Sequence, residues 1–252
     1  MKQILIPILA GITLLSCKEK QAETATTATP EETTTTETKK QLPFEVNPIS
    51  HATMVLQWDD TTIYVDPVGG AEAFAKYPTP DLILITDIHG DHLNIETLEG
   101  LDTSNAKIIA PKAVADKMPE AFVPQLDVLN NGDSKERFGF VVEAIPMYNL
   151  REEALKFHTK GRGNGYVIEK DDTRVYISGD TEDIPEMRAL EDIDVAFVCF
   201  NLPYTMTEGQ AAAAVNAFRP AIVYPYHYRG SDVALFTELV DDGIEVRVGD
   251  WY

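Results

Sequence analysis

Residues 81–93, reading DLILITDIHGDHL, constrain this chain more than any other stretch. The continuous apolar run 82–85 suits a strand buried on both faces, and it stops at Thr86-Asp87. Asp87, His89, Asp91 and His92 follow in close succession, with Gly90 expected to let the backbone turn tightly. A buried strand that opens into imidazoles and carboxylates sets several metal-ligand side chains on one rigid end. Most histidines bind nothing, yet two of the five in this chain stand in this loop beside two aspartates. The stretch reads as a metal site.

The N-terminus is organised differently. Lys2, a largely apolar run over 4–15 and Leu14-Leu15-Ser16-Cys17 read as a secretory signal peptide over 1–16, too short to span a bilayer. Leu-Leu-Ser-Cys resembles a bacterial lipobox, which would make Cys17 the lipidated first residue of an exported, envelope-anchored protein. Residues 17–41 are rich in Thr and Glu without apolar periodicity, so they are expected to form a disordered tether ahead of one domain over 42–252. Cys199, the other cysteine, sits in an apolar run and reads as a buried small hydrophobe without a disulfide partner. With 41 acidic against 21 basic residues and a net charge of −20, nucleic acid is excluded as a partner, and contact with a membrane is expected through the lipid alone. Nothing in the sequence specifies an oligomeric state.

Within 42–252, alternation over 53–58, an Asp59-Asp60 turn and a β-branched run over 61–65 predict a hairpin. Asn94 is placed to cap a short helix, and strands are expected over 107–110, 126–129 and 138–145. Gly161, Gly163 and Gly165 lie ahead of a strand rather than a helix, so they read as turn glycines and not as a dinucleotide fingerprint. A second hairpin ends in Ser178-Gly179-Asp180-Thr181, after which Asp183 with Glu186 suggests a helix N-cap. A strand over 194–200, a helix from a Thr207/Gln210 capping box to Phe218, and a strand ending in Pro225-Tyr226-His227-Tyr228 follow. Periodicity alone gives an α/β protein.

TDIHGDHL resembles the H-x-H-x-D-H loop of the metallo-β-lactamase superfamily, with Asp87 standing where that family has its first His. The SGDT element around Asp180 and the PYHY element around His227 are similar to further ligand-bearing elements of the superfamily. The resemblance implies a four-layer αβ/βα sandwich with a metal centre along one sheet edge. Asp91, His92, Asp180 and His227 would hold one ion, and Asp87, His89 and Asp180 the other. After the strand at 138–145 the family supplies another His, but here Tyr148 or Asn149 stands in that place, and His158 is the nearest imidazole that could rebuild the position. The opening HAT at His51 and the Asp66-Pro67 pair resemble the branch containing phospholipase D-like and lactonase-like enzymes. By that resemblance Asp66 supports the metal loop and His51 lies near the active centre.

The resemblance implies metal-dependent hydrolysis by a water acidified between one or two cations, directed at a phosphodiester or a lactone or ester of a small molecule or lipid. Asp91, His51 and Tyr226 are the catalytic candidates; Arg162, Asn164, Tyr204 and Tyr228 are the candidates for contacting substrate. Zinc is the default ion, and the extra carboxylate of Asp87 leaves manganese or iron open. The rival expectation is a lipoprotein whose degenerate site binds without turnover.

Overall fold

A computed structural model describes residues 41–252, of which Leu42–Tyr252 form one compact unit. The expected signal peptide over 1–16, the expected lipidation of Cys17 and the expected tether lie outside the described residues. Among the described residues, thirteen strands make two sheets. The first, in spatial order, holds β1 (Phe44–Ser50), β2 (Thr53–Trp58), β3 (Thr61–Val65), β4 (Leu82–Leu84), β5 (Lys107–Ala110) and β6 (Leu126–Val128). The second runs from β7 (Ser134–Arg137) through β8 (Phe140–Met147), β9 (Gly163–Lys170), β10 (Thr173–Ile177), β11 (Val195–Cys199) and β12 (Ile222–Tyr226) to β13 (Glu245–Val246). Each sheet begins with antiparallel hairpins and ends with parallel strands joined by crossovers.

The apolar run around β4 behaves as its sequence requires. Leu82 and Leu84 enter the core between the sheets, whereas Ile83 and Ile85 join a second cluster on the opposite face. Both faces are sealed because α1 (Ile95–Gly100) and α2 (Lys112–Ala115) cover that outer cluster through Leu98 and Val114. On the far side α3 (Pro185–Arg188), α4 (Glu208–Phe218) and α5 (Val233–Leu239) pack over the second sheet. Helix, sheet, sheet, helix is the sandwich the resemblance implied.

Two caps follow the sequence: Asn94 accepts from Thr97 N at 2.7 Å, and Thr207 with Gln210 closes a full capping box. The expected cap at Asp183 does not form. Ile184 holds the N-cap position of α3 and Asp183 pairs with Arg188 instead. The glycines at 163 and 165 also differ from expectation, since they are the opening residues of β9 rather than a turn. A Cβ at Gly165 would come within 2.8 Å of Ser178 O and 2.9 Å of Ile177 O, and one at Gly163 within 2.9 Å of Thr86 O. These glycines let β9 press against the strand ends that carry the metal-loop residues and Asp180. Gly90, in contrast, has no positive φ, and an added Cβ there would meet nothing within 4 Å.

Candidate metal centre

Six chain segments end at one edge of the sandwich. The β1–β2 turn brings His51, β3 ends at Asp66, β4 opens into residues 86–93, the loop after β8 brings His158, β10 runs into Asp180, and β12 ends beside His227. This is the carboxyl edge of the parallel strands, where α/β sheets place their ligands. Three of these residues, His51 (φ 53°), Asp66 (φ 44°) and His227 (φ 50°), sit in the left-handed backbone region that non-glycine residues adopt at a cost. The fold holds them there through backbone bonds such as His227 N to His51 O at 3.1 Å.

Asp180 is the hub. Its Oδ2 lies 3.3 Å from His92 Nε2 and 3.2 Å from His158 Nε2, while Oδ1 lies 3.2 Å from His227 Nε2. Asp91 closes the group, 3.5 Å from His227 Nε2 and 3.9 Å from His92 Nε2. Burial works against charge on Asp180, but His227, His92 and His158 outweigh it and hold its carboxyl well below the usual range. The aspartate is therefore an anion at neutral pH.

Supporting residues fix the rings. The fully buried Asp66 accepts from Thr86 N at 2.7 Å, from Thr86 Oγ1 at 2.6 Å and from His92 Nδ1 at 2.8 Å. That bond leaves the Nε2 lone pair of His92 aimed at Asp180. His158 is held the same way: Asn149 Oδ1 lies 3.3 Å from Nδ1, and Asn149 N donates to His158 O at 2.9 Å. The Asn that stands near the place of the family's further His thus orients His158, the imidazole expected to take that position.

Whether these residues suit a cation can be tested on their unpaired atoms. His92 Nε2, His158 Nε2, Asp180 Oδ1 and both ring nitrogens of His227 are buried without a hydrogen-bond partner. Buried polar atoms are ordinarily paired, whereas here the Nε2 atoms of His92, His158 and His227 all face the Asp180 carboxylate at 3.2–3.3 Å. Lone pairs aimed at a common point are what a cation satisfies. Two overlapping ligand groups result, His92, Asp180 and His227 in one, and His51, Asp91 and His227 in the other. A third group is formed by Asp87, His89 and His158.

The third group differs in kind. Asp87 is fully buried, and Arg162 grips it with Nε at 3.1 Å from Oδ1 and Nη2 at 2.8 Å from Oδ2. His89 Nδ1 reaches the same Oδ2 at 2.7 Å. Both oxygens of Asp87 are engaged by protein groups, so this position is the weaker ligand set. Arg162, expected at substrate, points inward to Asp87 and to Phe157 O because a buried carboxylate needs a counter-charge.

Three further expectations are corrected. Tyr226 is fully buried at the end of β12, its ring against Phe197 and Trp251, so it cannot reach a substrate. Asn164 is spent on the fold: Nδ2 donates to Leu129 O at 2.9 Å and Oδ1 accepts from Asn131 Nδ2 at 2.7 Å. Tyr228 stacks on Phe200 and meets Tyr252 edge-on rather than facing the site. Tyr204 is placed as expected, lining a cavity of about 490 Å³ with His51, His89, Asp91, His158, Asp180 and His227. Cys199 is inert, its thiol pushed up to about 12 by burial.

Phe157, Asn201 and Arg229 also line that cavity, and no motif had pointed to them. Tyr252 was missed as well. Its hydroxyl accepts from Arg229 N at 3.0 Å and lies 2.5 Å from His51 Nδ1, so its own proton is free for Nδ1. With the Tyr252 proton directed at Nδ1, the imidazole proton of His51 sits on Nε2, which faces Asp91 Oδ2 at 3.3 Å.

The model of the Beta-lactamase superfamily domain matches residues 45–227. The chain belongs to this superfamily. Among its relatives, a metal-dependent hydrolase of Thermococcus onnurineus is 32% identical over 199 residues, covering 74% of this chain and 88% of the relative. One from Pyrococcus horikoshii is 29% identical over 214 residues, covering 79% and 93%. A crystal structure of a Parabacteroides distasonis protein assigned as a metal-dependent hydrolase superposes with a TM-score of 0.75 at 40% identity, covering 81% of this chain and 92% of that one. The metallo-β-lactamase sandwich read from the fold is thus the fold of its relatives.

Proposed function

We propose that this member of the superfamily is a metal-dependent hydrolase of phosphodiester, lactone or ester substrates, exported and anchored to the envelope through Cys17. The observation that carries the reading is the set of four buried, unpartnered atoms His92 Nε2, His158 Nε2, Asp180 Oδ1 and His227 Nε2 gathered at one point. The hydrolase class is supported by the relatives above, and the anchor by the lipobox-like sequence.

Asp91, His92, Asp180 and His227 would hold the principal ion, with zinc favoured by three imidazoles in the wider set and manganese or iron compatible with the carboxylates. His89 and His158 would hold a second, weaker one. Such a cation supplies Lewis acidity and draws the pKa of water towards about 7. The remaining chemistry belongs to the chain. Asp91 is half-exposed at the cavity floor, where its carboxylate can accept a proton from the attacking water. His51 carries its proton on Nε2 and can donate it to the leaving oxygen, and burial lowers its pKa so that the neutral ring prevails. Phe157 and Tyr204, edge to face at 5.1 Å, wall the cavity against water.

The test is the metal content of the dialysed protein beside Asp180→Ala, read together with cleavage of bis-para-nitrophenyl phosphate. The variant is expected to lose bound metal and to lose turnover by roughly 100-fold or more. Metal content and turnover equal to wild type in Asp180→Ala would refute the assignment; metal without any turnover in wild type would leave the binding lipoprotein.

A further inference from the structure

Arginine in this protein almost always has a carboxylate. Seven of the eight arginines among the described residues hold one, from Arg137 on Asp127 at 2.6 Å to Arg247 on Glu245 at 2.8 Å. With acidic residues outnumbering basic ones 41 to 21, partners are plentiful. Arg229 is the exception. It is exposed, and no carboxylate among the described residues pairs with it.

Its place is the mouth of the metal centre. Arg229 lines the 490 Å³ cavity over Asp180 and also a second cavity of about 360 Å³ that adjoins it at His51 and Asp91. The backbone there is held from both sides: Tyr252 Oη accepts from Arg229 N at 3.0 Å, and Asn201 Nδ2 donates to Arg229 O at 3.1 Å. The guanidinium lies over the Tyr252 ring, 5.3 Å from its centroid, which positions the fork without consuming its donors. Asn201, only 6% exposed, leaves Oδ1 without a partner on the same cavity wall. An unpaired cationic fork and an orphaned buried acceptor in one cavity describe a ligand that carries an anion and, near it, a hydroxyl or N–H.

We propose that Arg229 is the anion-binding residue of the site, and that the substrate carries an anionic oxygen group, phosphate-like or carboxylate, held by this guanidinium. Asn201 Oδ1 accepts from a neighbouring hydroxyl or N–H of the same molecule. The assignment deepens the hydrolase reading and rests on it, and it ranks anionic esters above neutral lactones.

The experiment is calorimetric titration of the full chain, with its metal, by phenylphosphonate, by benzoate and by uncharged benzyl alcohol, repeated on Arg229→Met and Arg229→Lys. Metal content is measured on each sample, and cleavage of para-nitrophenyl acetate is followed beside bis-para-nitrophenyl phosphate. Arg229→Met should weaken the preferred anion roughly 10-fold or more, with metal content unchanged and Arg229→Lys in between. Preference for phenylphosphonate or for benzoate identifies which oxyanion the fork serves. Equal anion affinity in wild type and Arg229→Met, or no affinity for either anion in wild type, overturns the proposal. Arg229-dependent anion binding in a protein that cleaves no ester would sink the hydrolase reading and leave the anion site standing.

Discussion

At the residue scale, the departure at Asp87 is explained by Arg162. Where relatives with the full loop motif place a His, this chain places a carboxylate, and a carboxylate with no exposed surface requires a neutralising partner. Arg162 supplies it as a two-pronged contact. Removing one member of a buried pair strands the other, so Arg162→Met should destabilise the protein by about 3 kcal/mol, lowering Tm by about 6–12 °C. Adding Asp87→Asn to that variant should recover much of the loss, because the stranded charge is gone. A thermal melt of Arg162→Met that matches wild type would show that the pair does not carry this charge balance. Asp66 acts by a related logic, spending its oxygens on Thr86 and His92 so that His92 presents a single nitrogen to the centre.

Among the elements, β9 decides how closely the two halves of the centre approach. Gly163 and Gly165 lie against Thr86 O and Ser178 O, which belong to the segments leading to the metal loop and to Asp180. Asn164 N donates to Thr86 O at 3.0 Å, and Tyr166 Oη to Ile85 O at 2.8 Å, tying the strand to β4. A methyl group at 165 must push the 177–178 backbone away, so Gly165→Ala should cost about 2 kcal/mol and reduce metal retention. Gly90→Ala, by contrast, should stay within about 0.5 kcal/mol of wild type, although it sits inside the motif itself. Denaturant midpoints of the two variants check the pair; a Gly90→Ala change larger than that of Gly165→Ala would reverse this account.

For the whole molecule, the ligands come from both halves of the sandwich, so the centre exists only when both sheets are assembled. The sequence over 18–41 carries no apolar periodicity, and the described domain begins at β1, whose Phe44 stacks on Trp58 at 4.6 Å. A chain starting at Leu42 should therefore melt in one cooperative transition at the same Tm as the chain starting after Cys17. Loss of cooperativity on that deletion would mean that residues 18–41 take part in the core.

By itself the sequence determined the strand and loop at 81–93, because an apolar run ending in clustered imidazoles and carboxylates has few other uses. It also determined the order of hairpins and crossovers, and it marked Asp91, His92, Asp180 and His227 as candidate ligands, since each follows a recognisable strand. Asp66 and His158 were legible through position in the chain. The tertiary structure alone decided which groups have spare valence. Tyr226 and Asn164 share loop or strand-end positions with true site residues, but strand direction and close packing turn them into the core. Arg162 and Arg229 look alike in sequence; one is captured by a buried carboxylate 75 residues away and the other is left free at the mouth of the cavity. The C-terminal Tyr252 reaches His51 across 201 residues, a contact that no local pattern encodes. Local periodicity records which face of an element is buried, whereas partner choice among polar groups depends on distances that arise only when the sheets close.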